Sequence, residues 1–188
     1  MISSSRFYSI INSLKAKGFL KEHTLTLGGR GSLTTFLEIT PSGCEAIGVK
    51  KKAHLSRGGN FITDVFVQKL SDNLRKILTH CKVSLEKQVQ GKFCDIVIEG
   101  VNQSFIIAVE VELSDANLKV NLEKDAEGAD FVIEALVNEQ LAKKAEEIVK
   151  AMPREKQIKI GICLLTKLMR CQKLSDVVDS DFLKERGL

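Results

Sequence analysis

The run Phe93-Cys94-Asp95-Ile96-Val97-Ile98-Glu99-Gly100, followed after a short break by Phe105-Ile106-Ile107-Ala108-Val109-Glu110-Val111-Glu112, decides how this chain is read. Two segments rich in Val and Ile, joined by Gly100 to Ser104, predict an antiparallel hairpin. The second segment is apolar almost throughout, which places it in the middle of a sheet. Acids at the end of such a strand need a physical reason, because an unpaired buried carboxylate is costly. Asp95, Glu110 and Glu112 are tolerable together if they border solvent, pair with cations, or hold a metal ion. Glu110 and Glu112 share one face of their strand, since side chains alternate with a period of two. Asp95, on the neighbouring strand, can join them.

Working outward, Phe61 to Leu78 carries an apolar stripe of Ile62, Phe66, Leu70, Leu74, Ile77 and Leu78 and predicts a long amphipathic helix. Asp64 falls in its first turn, where the helix dipole alone favours an acid. Val83 to Val89, Phe93 to Glu99 and Phe105 to Leu113 then form a three-strand meander. Ser114 is expected to cap a helix running to about Glu127, with Leu118, Leu122 and Ala126 toward the core and Asn117, Asn121 and Lys124 on the adjacent flank. Asp130 to Val137 reads as a strand, Glu139 to Met152 as a helix and Ile158 to Thr166 as a strand. The tail from Ser175 reads as polar, with one short helix. The order from Asn60 to Val137 is therefore helix, three strands, helix, strand, in an α/β (α+β) chain.

The N-terminal third has a different character. Ser5 to Lys17 predicts a helix with Phe7, Ile10, Ile11 and Leu14 on one face and Gly18 as its stop. Phe19 to Leu27 and Leu33 to Ile39 alternate as two strands around the turn Gly28-Gly29-Arg30-Gly31. Thr40-Pro41-Ser42-Gly43 starts a short helix, with Pro41 at a tolerated first-turn position. Lys50-Lys51-Lys52 through Arg57-Gly58-Gly59 is a basic, glycine-punctuated linker. The chain divides into residues 1–48, a linker at 49–59 and a body at 60–188.

Charge follows the same division. The formal net charge of +4 is unevenly placed: residues 1–59 hold nine Lys and Arg against three Glu, whereas the remainder carries 19 basic and 21 acidic residues. A basic arm on a near-neutral body suits phosphate binding, and it also suits an ordinary solvated surface. Arg6, Arg30, Lys50, Lys51, Lys52 and Arg57 supply much of that charge. No run approaches a membrane span, and the first residues lack the pattern of a signal peptide, so a cytoplasmic address is expected. Five scattered cysteines without C-x-x-C spacing suggest free thiols. A nucleotide-binding enzyme lacks support, because the glycine cluster lies in a hairpin and not between a strand and a helix. His23, His54 and His80 have no partner identifiable by spacing, which leaves a seryl or cysteinyl hydrolase equally unsupported.

The acids and their order resemble the PD-(D/E)xK nuclease superfamily, which includes restriction endonucleases and Holliday-junction resolvases. In that superfamily an Asp on one strand and an acid-x-Lys pair on the next bind a divalent cation at a scissile phosphate. The matching residues are Asp95 and Glu110-Val111-Glu112. Cys94 stands where the motif name has Pro, and Glu112 stands where it has Lys. The resemblance implies a restriction-endonuclease-like α-β-β-β-α-β core and Mg²⁺ or Mn²⁺ held by Asp95 and Glu110, with Asp64 as a third ligand. It further implies Glu112 as a second ligand or water-orienting base, Lys124 as a migrated catalytic lysine, and Asn121 to orient it or a water.

Residues 14–20 and 37–43 resemble the end of a winged helix: recognition helix, wing and the turn that follows. The two helices that normally come first have no counterpart in this partial, truncated winged helix, so the expectation is either a C-terminal piece of a longer protein or a motif reduced to a helix and wing. That resemblance nominates Ser3, Ser4, Ser5 and Arg6 as DNA contacts, with Arg30 at the wing tip. The Glu-Val-Glu-Leu-Ser run followed by Asn121 is also similar to proteins joining a winged helix to a nuclease-like domain, some of which are tails of mobile-element ATPases. Two functions are therefore expected as alternatives. One is a metal-dependent DNA endonuclease or nickase, a homodimer if it cuts both strands. The other is an inactive nuclease-fold module for DNA binding or for docking to a larger parent protein or partner ATPase.

Overall fold

A computed structural model describes residues 3–27, 32–50 and 60–188. Helix α1 (Ser4–Ala16) is capped by Ser3, whose hydroxyl accepts the Arg6 N–H, and it ends at Gly18, whose φ of +72° suits a residue without a side chain. Strands β1 (Leu20–Leu27) and β2 (Ser32–Ile39) pair antiparallel as a two-stranded sheet. Helix α2 (Pro41–Ala46) follows, with Thr40 Oγ1 accepting from the Gly43 N–H at 3.1 Å.

The body begins with α3 (Phe61–Ile77), capped by the Asn60 side chain. Its stripe of Ile62, Phe66, Leu70 and Leu74 is buried as the 3.6-residue period predicts. Next come β3 (Lys82–Val89), β4 (Lys92–Glu99) and β5 (Ile106–Glu112), then α4 (Leu118–Gly128), β6 (Phe131–Leu136), α5 (Glu139–Lys150) and α6 (Arg154–Gln157). Strand β7 (Ile160–Leu164) and the short helices α7 (Leu165–Leu168) and α8 (Asp181–Glu185) complete the described elements. The five strands form one sheet in the order β3-β4-β5-β6-β7, antiparallel from β3 to β5 and parallel from β5 to β7. The fold is mixed α and β with two sheets, and β5 lies at the centre of the larger one.

Both faces of that sheet are covered. Ile96, Ile98, Ile107, Val109, Val111, Phe131 and Ile133 pack with α3, and Leu136 packs with Leu118 and Leu122 of α4 and Leu141 and Ala145 of α5. Every residue of β6 is buried, as expected of a parallel strand covered on two sides. The β1–β2 hairpin leans on the start of α3: Phe36 meets Phe66 edge to face at 5.5 Å between centroids, and His23 lies 5.2 Å from Phe61.

Three expectations change. Ser114 does not cap α4, which starts at Leu118. The intervening residues bend instead, and Asp115 is tied to α5 by an ion pair from Lys144 Nζ at 2.6 Å. The last strand stops at Leu164 because Leu165 and Leu168 turn into the core as a helix. The tail from Ser175 does form a short helix, but it is not simply polar: Val178, Leu183 and Leu188 are core residues, Phe182 stacks on Phe131 at 5.3 Å, and the Arg186 guanidinium covers Phe182 at 3.7 Å. No helix among the described residues is long and apolar enough to cross a membrane.

Candidate metal centre

The backbone ladder between β4 and β5 runs from Glu99↔Ile106 to Ile96↔Val109 and stops. Where the strands part, side chains take over the bonding that the ladder gives up. The Val111 N–H donates to Asp95 Oδ2 at 2.9 Å, and the Asp95 N–H donates to Glu110 Oε2 at 3.3 Å. Each carboxylate thereby satisfies a backbone donor of the opposite strand. The exchange holds Asp95 and Glu110 side by side at the site that the sequence nominates.

Glu112, two residues on, lies on the face of the sheet that α4 covers. The Asn121 side-chain amide donates to Glu112 Oε1 at 2.5 Å, so Asn121 restrains this carboxylate. Burial raises the Glu112 carboxyl above its usual range, and the Asn121 bond opposes that rise. Asp95 is pushed up to about 6, first by burial and then by the negative charges of Glu112 and Asp64, with the Val111 N–H acting the other way. Asp64, in the first turn of α3, is thus within electrostatic reach of Asp95. Among the described residues, no basic side chain contributes to the shift of either Asp95 or Glu112.

Lys124 sits elsewhere. It is exposed on α4 and lines an open cleft of about 620 Å³ with Glu127, Met152 and Lys156. Among the described residues it forms no ion pair with Asp95 or Glu112. Among those same residues, no group of three His, Cys, Asp or Glu side chains is gathered closely enough to enclose a metal ion by itself.

Two acids that sequence reasoning passed over complete the row. Glu134, fully buried on β6, is the register partner of Glu110. Glu86, on β3, falls between the pairs Leu85↔Ile96 and Lys87↔Cys94 and so stands opposite Asp95, with its backbone at a left-handed φ of 45°. The acids Glu86, Asp95, Glu110 and Glu134 therefore occupy matching positions on four adjacent strands. Glu134 had a visible signal, an acid inside the otherwise apolar run Phe131-Val132-Ile133-Glu134-Ala135-Leu136.

Of the nominated nucleic-acid contacts, Ser3, Ser4, Ser5, Arg6 and Lys50 are all exposed. Ser3 serves as the helix cap and lies 3.3 Å from the Ser5 hydroxyl. Arg30, Lys51, Lys52 and Arg57 lie outside the described residues. No family model matches the chain, and neither a curated protein nor a solved structure matches it.

Proposed function

We propose that this chain is a divalent-cation-dependent nuclease of the PD-(D/E)xK type, hydrolysing DNA phosphodiester bonds and gripping its substrate with the basic N-terminal arm. The observation that carries the reading is the burial of Asp95 where β4 and β5 part, beside Glu110 and in the field of two further acids. Carboxylates gathered in this way repel one another, and a bound cation relieves the repulsion. The order α3-β3-β4-β5-α4-β6, with its three antiparallel strands and a fourth parallel to the third, agrees with the core expected of that superfamily.

The donors suit Mg²⁺ or Mn²⁺. Both are hard cations, and Mg²⁺ is commonly bound through one or two carboxylates with waters completing an octahedron. Asp95 and Glu110 would supply those two ligands, and Asp64 would stand behind them as a further acid. When bound, such a cation neutralises the scissile phosphate and makes a hydroxide available near neutral pH. The chain's own residues do the rest. The Val111 and Asp95 backbone amides hold the two ligand carboxylates in place. Glu112, restrained by Asn121, is placed to orient the attacking water and accept its proton. A lysine role for Lys124 would require it to leave the α4 cleft.

That last requirement favours a second reading, an inactive nuclease-fold module retained for DNA binding or for docking to a partner ATPase. Glu112 occupies the position of the motif's Lys, and among the described residues no lysine is bonded to it. Thermal melts with Mn²⁺, run beside cleavage assays on duplex, nicked, branched and single-stranded DNA, separate the two. Stabilisation by Mn²⁺ that Asp95→Ala and Glu110→Ala abolish, together with metal-dependent cleavage lost in the same variants, supports the enzyme. Stabilisation without cleavage supports the inactive module, and no metal effect removes the site altogether.

A further inference from the structure

Strands β5 and β6 leave the sheet side by side, and the Val137 N–H donates to the Glu112 carbonyl at 3.1 Å as they do so. Beyond that bond one chain bends toward α4 and the other caps α5, and an open cleft of about 600 Å³ lies between them. Leu113 and Leu141 give it apolar walls, and Ser114, Asn138 and Gln140 line it with polar side chains. The cleft begins one residue past Glu112, the acid that Asn121 restrains.

Charge argues against an anion in this cleft. Lys144 is held by Asp115 at 2.6 Å, and the other charged residues that line it, Lys143 and Glu147, balance each other. A phosphate gains little from walls that are neutral as a whole. What the cleft offers instead is neutral hydrogen bonding. Asn138 Oδ1 accepts the Leu141 N–H at 2.9 Å as the cap of α5, which leaves its amide nitrogen to donate. Among the described residues, neither the Gln140 amide nor the Ser114 hydroxyl has a hydrogen-bond partner. The Gln140 amide presents a donor and an acceptor together. An uncharged group with apolar faces and with donors and acceptors on its edge fits such walls, and a nucleobase is that group.

We infer that this cleft is a subsite for one unpaired nucleobase, with Gln140 and the Asn138 amide nitrogen bonding its edge and Leu113 and Leu141 against its faces. The proposal rests on the reading of the acids as a nuclease centre, since it is a phosphodiester beside Glu112 that brings the adjoining base to Leu113. It narrows the substrate to nucleic acid with an unpaired nucleotide next to the cleaved bond, because a duplex keeps its base edges paired.

The probe is a free nucleotide. A side-chain amide matches the edge of adenine, so dAMP is chosen, and deoxyribose phosphate serves as its baseless counterpart. With the full chain isotope-labelled for NMR and kept in chelator, dAMP should shift the side-chain amide signals of Asn138 and Gln140 saturably. Deoxyribose phosphate should leave them in place. Gln140→Leu should weaken dAMP binding by about threefold or more, the effect of a lost neutral hydrogen bond. Asn138→Ser, which keeps a helix cap but withdraws the amide, should weaken it by a similar factor. Gln140 is exposed and Ser caps a helix about as well as Asn, so both variants should melt as the parent does. The idea is overturned if the baseless sugar phosphate shifts the same signals as far as dAMP does. It is overturned equally if dAMP perturbs only the N-terminal arm, or if Gln140→Leu binds dAMP as the parent does. Nucleotide binding in the cleft without Mn²⁺ stabilisation or cleavage would remove the metal centre and leave the subsite standing. Metal-dependent cleavage beside a cleft that does not respond to dAMP would do the reverse.

Discussion

Helix α1 and strand β6 are both written with a regular apolar pattern, yet one buries nothing and the other buries every residue. The difference is one of neighbours. Strand β6 lies between β5 and β7 and beneath helices on both faces, so even its acid Glu134 is enclosed. Helix α1 packs on β1 of its own hairpin, and Phe7, Tyr8 and Ile10 remain exposed. The hydrophobic pattern of a segment records that a partner is needed, and the fold decides whether that partner lies within the chain.

The comparison is broken most directly by truncation on each side of it. Phe131→Ala, removing a fully buried ring stacked on Phe182, should cost about 3–5 kcal/mol in chemical denaturation, while Phe7→Ala should change stability by about 0.5 kcal/mol or less. Comparable losses at the two positions would mean that α1 has a covered face in solution.

Next in size is the pH dependence of the body. The Asp95 carboxyl is raised to about 6 in the fold from an ordinary value of 3.8. A raised acid binds its proton more tightly in the native state, so its contribution favours the fold at low pH. That contribution declines as pH climbs from about 4 to about 6, and above this it levels off. The loss should be about 3 kcal/mol, absent in Asp95→Asn, and recovered with Mn²⁺ at neutral pH if the centre binds metal. A stability curve that Asp95→Asn leaves unchanged over this window would contradict the placement.

A smaller effect is expected at Asn121. Its replacement by Ala withdraws the amide from Glu112, costing about 1 kcal/mol and raising the Glu112 carboxyl further, which NMR titration would follow. Smallest of all is Asp115→Ala. It breaks the exposed pair with Lys144 and should leave the melting temperature within error of the parent. A clear drop would show that the bend before α4 depends on that pair.

Much of the body was legible because its signals are local. The Val and Ile run of Ile106 to Val111 marked a central strand, the stripe from Ile62 to Leu74 marked a helix, and Asp95 and Glu110 stood out as acids in apolar company. What escaped depended on partners distant in the chain. Ser114 looks like a cap in its own neighbourhood, but Asp115 answers to Lys144 on α5. The tail looks polar until Phe182 meets Phe131 and Leu183 enters the core. Glu134 gains its significance from a parallel register with Glu110, and Glu86 from a backbone angle that no residue pattern announces. Lys124 shares a helix flank with Asn121, but spacing alone did not show that it would turn toward the α4 cleft.

The left-handed residue at Glu86 also bears on how the sheet meets its surroundings. Strand β3 is at the end of the strand order, and an unbroken edge of that length would invite another chain to add a strand. At Glu86 the repeat of donors and acceptors loses its regularity, and Lys82 and Lys87, on either side of the break, both reach back to the Glu99 carboxylate of β4. A strand arriving in register would meet a misdirected backbone at Glu86 before it could zip. The break at Glu86 thus works against growth into larger sheets at this edge.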